Sequence, residues 1–167
     1  HRMETLSADW QIQLQVLATT AYAMLLGGSI GYEREIKDRP AGFRTHMLVA
    51  GAAALLVGLV DLLAHRYSAE VYSDLVRIDP IRLIEAMVAA VGFLGAGTIF
   101  RNGSESVITG ITTAASLLMV AVIGIAVGVH SYVLAVGATA LTLAVLVALG
   151  WLERRRSKAG DTPSSQS

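Results

Sequence analysis

Apolar residues fall into five long blocks: Ile12–Gly31, Thr45–Ala64, Ile81–Phe100, Val107–Val129 and Ser131–Leu152. Each block is close to 20 residues, which at a rise of ~1.5 Å per residue matches the ~30 Å hydrocarbon core of a bilayer. The polar stretches between them are short. The pattern predicts an all-α integral membrane bundle of about five transmembrane helices.

The connections carry their own signals. Asp79-Pro80 suits a helix start, with Asp as N-cap and Pro at the first helical position. The fourth and fifth blocks are separated only around His130, which predicts a tight antiparallel hairpin. Between the second and third blocks, Tyr67, Val71, Tyr72, Leu75 and Val76 recur at helical spacing. They fit a short amphipathic helix at the membrane interface or a loop with interfacial tyrosines.

Charge placement adds an orientation. Arg34, Lys37, Arg39, Arg44, Arg101, Arg154, Arg155, Arg156 and Lys158 fall on one side of five spans. Only Arg2, Arg66, Arg77 and Arg82 fall on the other. The positive-inside rule then predicts the N-terminus outside and the C-terminus cytoplasmic. By region, 1–11 is an N-terminal segment, with His1-Arg2 reading as a cloning remnant before Met3. Residues 12–152 form the transmembrane domain, and 153–167 a basic, disordered cytoplasmic tail. The first block runs straight into Glu33-Arg34-Glu35 with no small-residue cleavage site, so it does not read as a cleaved signal peptide.

Composition narrows the function. Hydrophobic residues make up 54% of the chain and charged residues 16%, against about 25% charged in soluble domains. The zero net charge gives no footprint for a nucleic-acid partner. The absence of cysteine excludes disulfides, thiolate metal sites and a Cys nucleophile. No hydrolase, nucleotide-loop or metalloprotease motif occurs, so the expectation is a protein that is not an enzyme. Membrane lipid is the partner that composition itself implies.

Gly27 and Gly31 form a G-x-x-x-G pair at the end of the first block. Gly92, Gly95 and Gly97 lie in the third, and Gly124 and Gly128 in the fourth. Small residues let membrane helices approach closely, which predicts helix packing and a homodimer through small-residue faces. The third-block glycines also fit an unwound, ion-lining stretch.

Two groups of polar residues are candidates for function. Asp61 and Glu85 lie at similar depth near the outer face. They read as an Asp61–Arg82–Glu85 salt-bridge group or as a hard-cation entrance site, since paired carboxylates with water suit Mg²⁺ or Ca²⁺. The second group gathers at the cytoplasmic ends of four blocks: Glu33, Arg34, Glu35, Arg44, Thr45, His46, Arg101, Asn102, Thr112 and Thr113, with Ser116 nearby. It reads either as an ion or ligand site or as a charge network that orders the loop. Hydroxyls within helices usually bond back to backbone carbonyls.

Three stretches of these residues closely resemble the MgtC/SapB family of bacterial inner-membrane proteins. They are Gly31-Tyr-Glu-Arg-Glu35 continuing to Pro40-Ala-Gly-Phe-Arg-Thr-His-Met-Leu-Val49, then Val91-Gly-Phe-Leu-Gly-Ala-Gly-Thr-Ile-Phe-Arg101, then Thr109-Gly-Ile-Thr-Thr-Ala-Ala-Ser-Leu117. Their order and spacing extend the resemblance over roughly residues 12–150. The resemblance implies a five-helix inner-membrane protein linked to magnesium limitation, acid stress and virulence. Carried over by position, its polar motif residues are Glu33, Arg34, Glu35, Arg44, Thr45, His46, Arg101, Thr112 and Thr113. It implies no certain cofactor; the ligand it brings in is Mg²⁺. Implied partners are F-type ATP synthase or another inner-membrane protein. Some members of the family are described as Mg²⁺ transporters and others as regulators of membrane partners. Here Thr109 stands where many members have arginine, and Leu118 where an aromatic is common. Longer relatives carry a soluble C-terminal domain, so the chain reads as a short SapB-like member or as a truncated one. The expected function is therefore magnesium homeostasis exerted through membrane-embedded contacts, with a cation transporter or channel as the alternative.

Overall fold

The computed structural model describes residues 2–67, 79–101 and 108–160. Five helices follow in order: α1 (Arg2–Ile36), α2 (Phe43–Tyr67), α3 (Pro80–Gly97), α4 (Ile111–Gly128) and α5 (Tyr132–Gly160). Trp10–Ile36, Phe43–Ala64 and Ile111–Gly128 are each long and apolar enough to cross a membrane; Tyr132–Ala148 is a shorter apolar stretch. The fold is all-α, as the hydropathy blocks predict.

α4 is the central helix and touches the other four. Leu117, Val120, Ile123 and Val127 on it are almost completely buried. They pack against Ala23 and Ile30 of α1, Ala50 and Ala54 of α2, Val91 of α3 and Ala135 of α5. The small residues of α2 set the spacing. A Cβ at Gly124 would lie 2.2 Å from the Ala50 carbonyl oxygen, and one at Gly128 2.7 Å from Val57 Cβ. On α1, a Cβ at Gly27 would meet Ala50 Cβ and the His46 carbonyl oxygen, both at 2.6 Å, and one at Gly31 would meet His46 Cβ at 2.8 Å. Glycines four apart share a helix face, so each pair forms one continuous groove for its neighbour. Gly95 approaches Ala114 of α4 less tightly, at 3.2 Å. Among the described residues nothing lies within 4 Å of a Cβ at Gly92 or Gly97; Val91 and Gly95 take the face of α3 toward α4.

Boundaries differ from the apolar blocks for local reasons. α1 begins at Arg2, since Met3, Glu4 and Leu6 are good helix formers, so the helix takes in most of the N-terminal segment. α5 continues to Gly160, eight residues into the stretch expected to be disordered, through the helix formers Glu153, Arg154, Arg155 and Arg156. Residues 161–167 lie outside the described residues. The third block stops at Gly97. Phe100-Arg101 then pair antiparallel with Ile108-Thr109. α4 therefore starts at Ile111 and not at Val107, behind Gly110 at φ 95°. A side chain at Gly110 would sit 1.9 Å from the Thr98 carbonyl oxygen, so only glycine fits this turn.

Two predicted connections are present. Asp79 caps α3, its Oδ1 accepting from the Ile81 amide at 3.0 Å, with Pro80 next. α4 and α5 form the tight hairpin. His130 adopts φ 61°, and the Ser131 and His130 amides donate to the Ala126 and Val127 carbonyls at 2.8 and 2.9 Å. This is a left-handed helix C-cap with histidine in the place glycine usually takes. The expected interfacial helix between α2 and α3 falls at 68–78, outside the described residues.

Candidate functional site

The antiparallel course of the helices brings the end of α1, the start of α2, the end of α3, the start of α4 and the later part of α5 to one end of the bundle. A buried polar cluster sits there, built from α1 inward. Glu33 and Arg34 occupy the last turn of α1, and their side chains are only 11% and 3% exposed. The Glu33 carboxylate lies between the Arg34 guanidinium, Nε to Oε2 at 3.1 Å, and the Lys37 ammonium. These are charge contacts that lack the angles of directed hydrogen bonds. Lys37 also donates to the Leu146 carbonyl of α5 at 2.9 Å. A Cβ at Gly150 would lie 2.5 Å from that Nζ, so Gly150 clears the path for Lys37. One lysine thus ties α1 to α5.

Glu35 does a different job. Its Oε2 accepts from the Phe43 amide at 2.8 Å, satisfying one of the free N–H groups at the start of α2. Gly42 takes the turn, and its carbonyl accepts from the His46 amide at 3.2 Å.

His46 is completely buried. Its Nδ1 lies 2.9 Å from the Gly42 carbonyl. A carbonyl only accepts, so Nδ1 carries hydrogen. Its Nε2 lies 2.9 Å from Ser116 Oγ of α4, and Ser116 Oγ is 2.8 Å from the Thr113 carbonyl. Ser116 has one hydrogen for two acceptors. With neutral His46 it donates to Nε2; with the imidazolium it donates to Thr113 and accepts from Nε2. Both arrangements hold α2 to α4.

The expected cluster is therefore partly assembled. Glu33, Arg34, His46 and Thr113 converge in the interior, and Glu35 braces the turn beside them. Arg44, Thr45 and Thr112 are exposed; Thr45 and Thr112 are each one helical step, about 100°, before the buried His46 and Thr113, and Arg44 is two steps before His46. Arg101 contributes its backbone to the short ladder; its side chain and Asn102 lie outside the described ones. Ser116, grouped by sequence with Thr112 and Thr113, belongs to the cluster, and so does Lys37, which does not stand out by sequence. Lys37 reads as one loop charge among several, and its acceptor is a backbone carbonyl 109 positions away.

The other candidate pair is not brought together. Asp61 lines a cavity of about 390 Å³ at the opposite end, among Val57, Leu83, Ile125 and His130. Glu85 is exposed on α3 and does not line it. Arg82 pairs with Asp79 at 3.8 Å on the surface. Beside the cavity, His130 meets Gln15 of α1 at 3.3 Å.

The donor set does not fit a bound Mg²⁺. Magnesium wants several oxygen ligands at about 2.0–2.1 Å. The buried charges of Glu33, Arg34 and Lys37 sum to +1, and among the described residues no three His, Asp or Glu side chains group to hold a metal. What the cluster does physically is lock helix ends.

The profile of the MgtC family matches residues 20–155. The chain is 34% identical over 147 residues to "Protein SapB" of Bacillus subtilis, covering 88% of this chain and 62% of that protein. It is 38% identical over 138 residues to "Protein MgtC" of Brucella abortus, covering 81% and 52%. It is 37% identical over 126 residues to "Putative magnesium transporter YhiD" of Escherichia coli K12, covering 74% and 55%. The chain thus spans between half and two thirds of the length of these relatives. No solved structure matches it.

Proposed function

The chain belongs to the MgtC family, and we propose that it is a multi-pass bacterial inner-membrane protein that supports magnesium homeostasis by contacting other membrane proteins, not by conducting the ion. The observation that carries this reading is the closed state of the polar cluster. Its one buried carboxylate, Glu33, is matched by two cations, and His46 is hydrogen-bonded at both ring nitrogens. Below it, α1, α2 and α4 meet closely through glycine and alanine, which favours a packed interior over a polar path. A rigid core with exposed apolar sides suits a protein that works through its outer surface. The open glycines Gly92 and Gly97 of α3 supply room for close approach by a partner helix or by a second copy. The basic first loop and the basic end of α5 support a cytoplasmic C-terminus.

A second reading, as a Mg²⁺ transporter, is favoured by the Asp61 cavity, which gives a cation an acidic entrance at the far end, and by the printed name of the Escherichia coli relative. The two readings separate in cells. In a strain lacking its own copy, the regulatory reading expects growth at limiting Mg²⁺ to depend on the chain while the initial rate of Mg²⁺ uptake does not. A rate that rises with expression and falls in Asp61→Asn would establish the transporter.

A further inference from the structure

A groove of about 340 Å³ runs along the outer side of the α4–α5 hairpin, lined by Thr112, Ala115, Ser116, Met119 and, on α5, residues from Ala138 to Leu146. Its wall is apolar in effect. Thr142 donates to the Ala138 carbonyl at 2.7 Å, and Ser116 is engaged with Thr113 and His46, so these two hydroxyls have no unmet need for a polar ligand. Leu141, Val145 and Met119 on its rim are exposed, so an occupant enters sideways from the bilayer. The eight helical steps from Ala138 to Leu146 span about 12 Å of helix, within the ~15 Å depth of one leaflet.

The depth of the groove is marked independently. Trp151, 55% exposed, lies five residues beyond Leu146, and tryptophan favours the headgroup level. The groove mouth therefore sits just inside the hydrocarbon. α5 does not end there. It continues as helix to Gly160 and carries Arg154, Arg155, Arg156 and Lys158, beginning about 12 Å beyond Leu146. A basic juxtamembrane segment attracts anionic lipid, and this one continues the helix that lines the slot.

We propose that the α4–α5 groove seats one acyl chain of an anionic phospholipid whose headgroup is retained by the basic continuation of α5. The inference stands apart from the choice between regulator and transporter. The slot supplies the fit and the basic helix the headgroup selectivity.

The test uses the full chain with Trp10→Phe, which leaves Trp151 as its single tryptophan. It is reconstituted into phosphatidylcholine with a minor fraction of acyl-brominated phosphatidylglycerol, or of acyl-brominated phosphatidylcholine. Trp151 quenching by the glycerol lipid is expected to exceed that by the choline lipid several-fold. The preference should fall to parity in Arg154→Gln/Arg155→Gln/Arg156→Gln, or in 1 M salt, where the screening length drops to ~3 Å, should the variant not fold. Ala115→Phe, which fills the slot, should abolish it with the arginines intact. Equal quenching by the two lipids in the parent, or a preference that survives both changes, overturns the proposal. So does disulfide crosslinking of Thr142→Cys in this cysteine-free chain, which would place a second copy over the groove.

Discussion

Gly124→Ala and Gly92→Ala are the same chemical change on two membrane helices, and the structure assigns them opposite signs. At Gly124 the added methyl would lie 2.2 Å from the Ala50 carbonyl oxygen and 2.9 Å from Ala53 Cβ, while at Gly92 it meets nothing within 4 Å. Ordinary contact begins near 3.4 Å, so α4 and α2 would have to part by about 1 Å. Both partners are backbone or Cβ and have no rotamer to yield. Overpacking costs ~1–3 kcal/mol, here toward the upper end, against a helix-propensity gain of up to ~1 kcal/mol for Gly to Ala. The net expectation is a loss of about 2 kcal/mol at Gly124 and a gain of up to ~1 kcal/mol at Gly92. The difference of about 3 kcal/mol is roughly a hundredfold in the unfolding equilibrium. Reversible unfolding in mixed micelles, followed by far-UV circular dichroism, reads it directly. Equal shifts in the two variants would refute the packing account, because the helix-propensity change is common to both.

Other perturbations test the polar cluster. Glu33→Gln removes the carboxylate held between Arg34 and Lys37, and should destabilise by about 3 kcal/mol; adding Lys37→Met should recover part of that loss in the same unfolding assay. Ser116→Ala strands the Nε2 of His46 and should cost about 1–3 kcal/mol, with a double-mutant cycle against His46→Leu giving a coupling of at least ~0.5 kcal/mol. Glu35→Ala removes the bond to the Phe43 amide and should cost about 0.5–2 kcal/mol, seen as faster hydrogen exchange confined to the first turn of α2. No change in exchange at Phe43 would count against the cap.

Hydropathy was sufficient to place five helices because a bilayer leaves little choice for a 20-residue apolar run. Asp79-Pro80 and the His130 turn were readable because caps and hairpins are local. The pairs Gly27/Gly31 and Gly124/Gly128 meet neighbouring helices, since four-residue spacing puts each pair on one side. For Gly92 and Gly97 the sequence names no neighbour, because a glycine permits close approach without supplying the partner. The same limit applies to the cluster. His46 and Arg34 point inward while Arg44 and Thr45 do not, and only the docking of α2 against α1 and α4 decides that. Lys37 escaped notice because a bond to the carbonyl of Leu146 leaves no trace in residue type. The ladder that delays α4 to Ile111 was hidden by apolar residues that serve equally in a strand or a helix.

The central claim is that this bundle supports magnesium homeostasis without carrying the ion. The most direct test is Mg²⁺ entry into sealed proteoliposomes containing the folded chain, set against protein-free vesicles and against Glu33→Gln and Asp61→Asn. The account predicts entry indistinguishable from protein-free vesicles in all three preparations. Saturable entry by the unaltered chain, lost in Asp61→Asn, would contradict it and make the Asp61 cavity the mouth of a transport path.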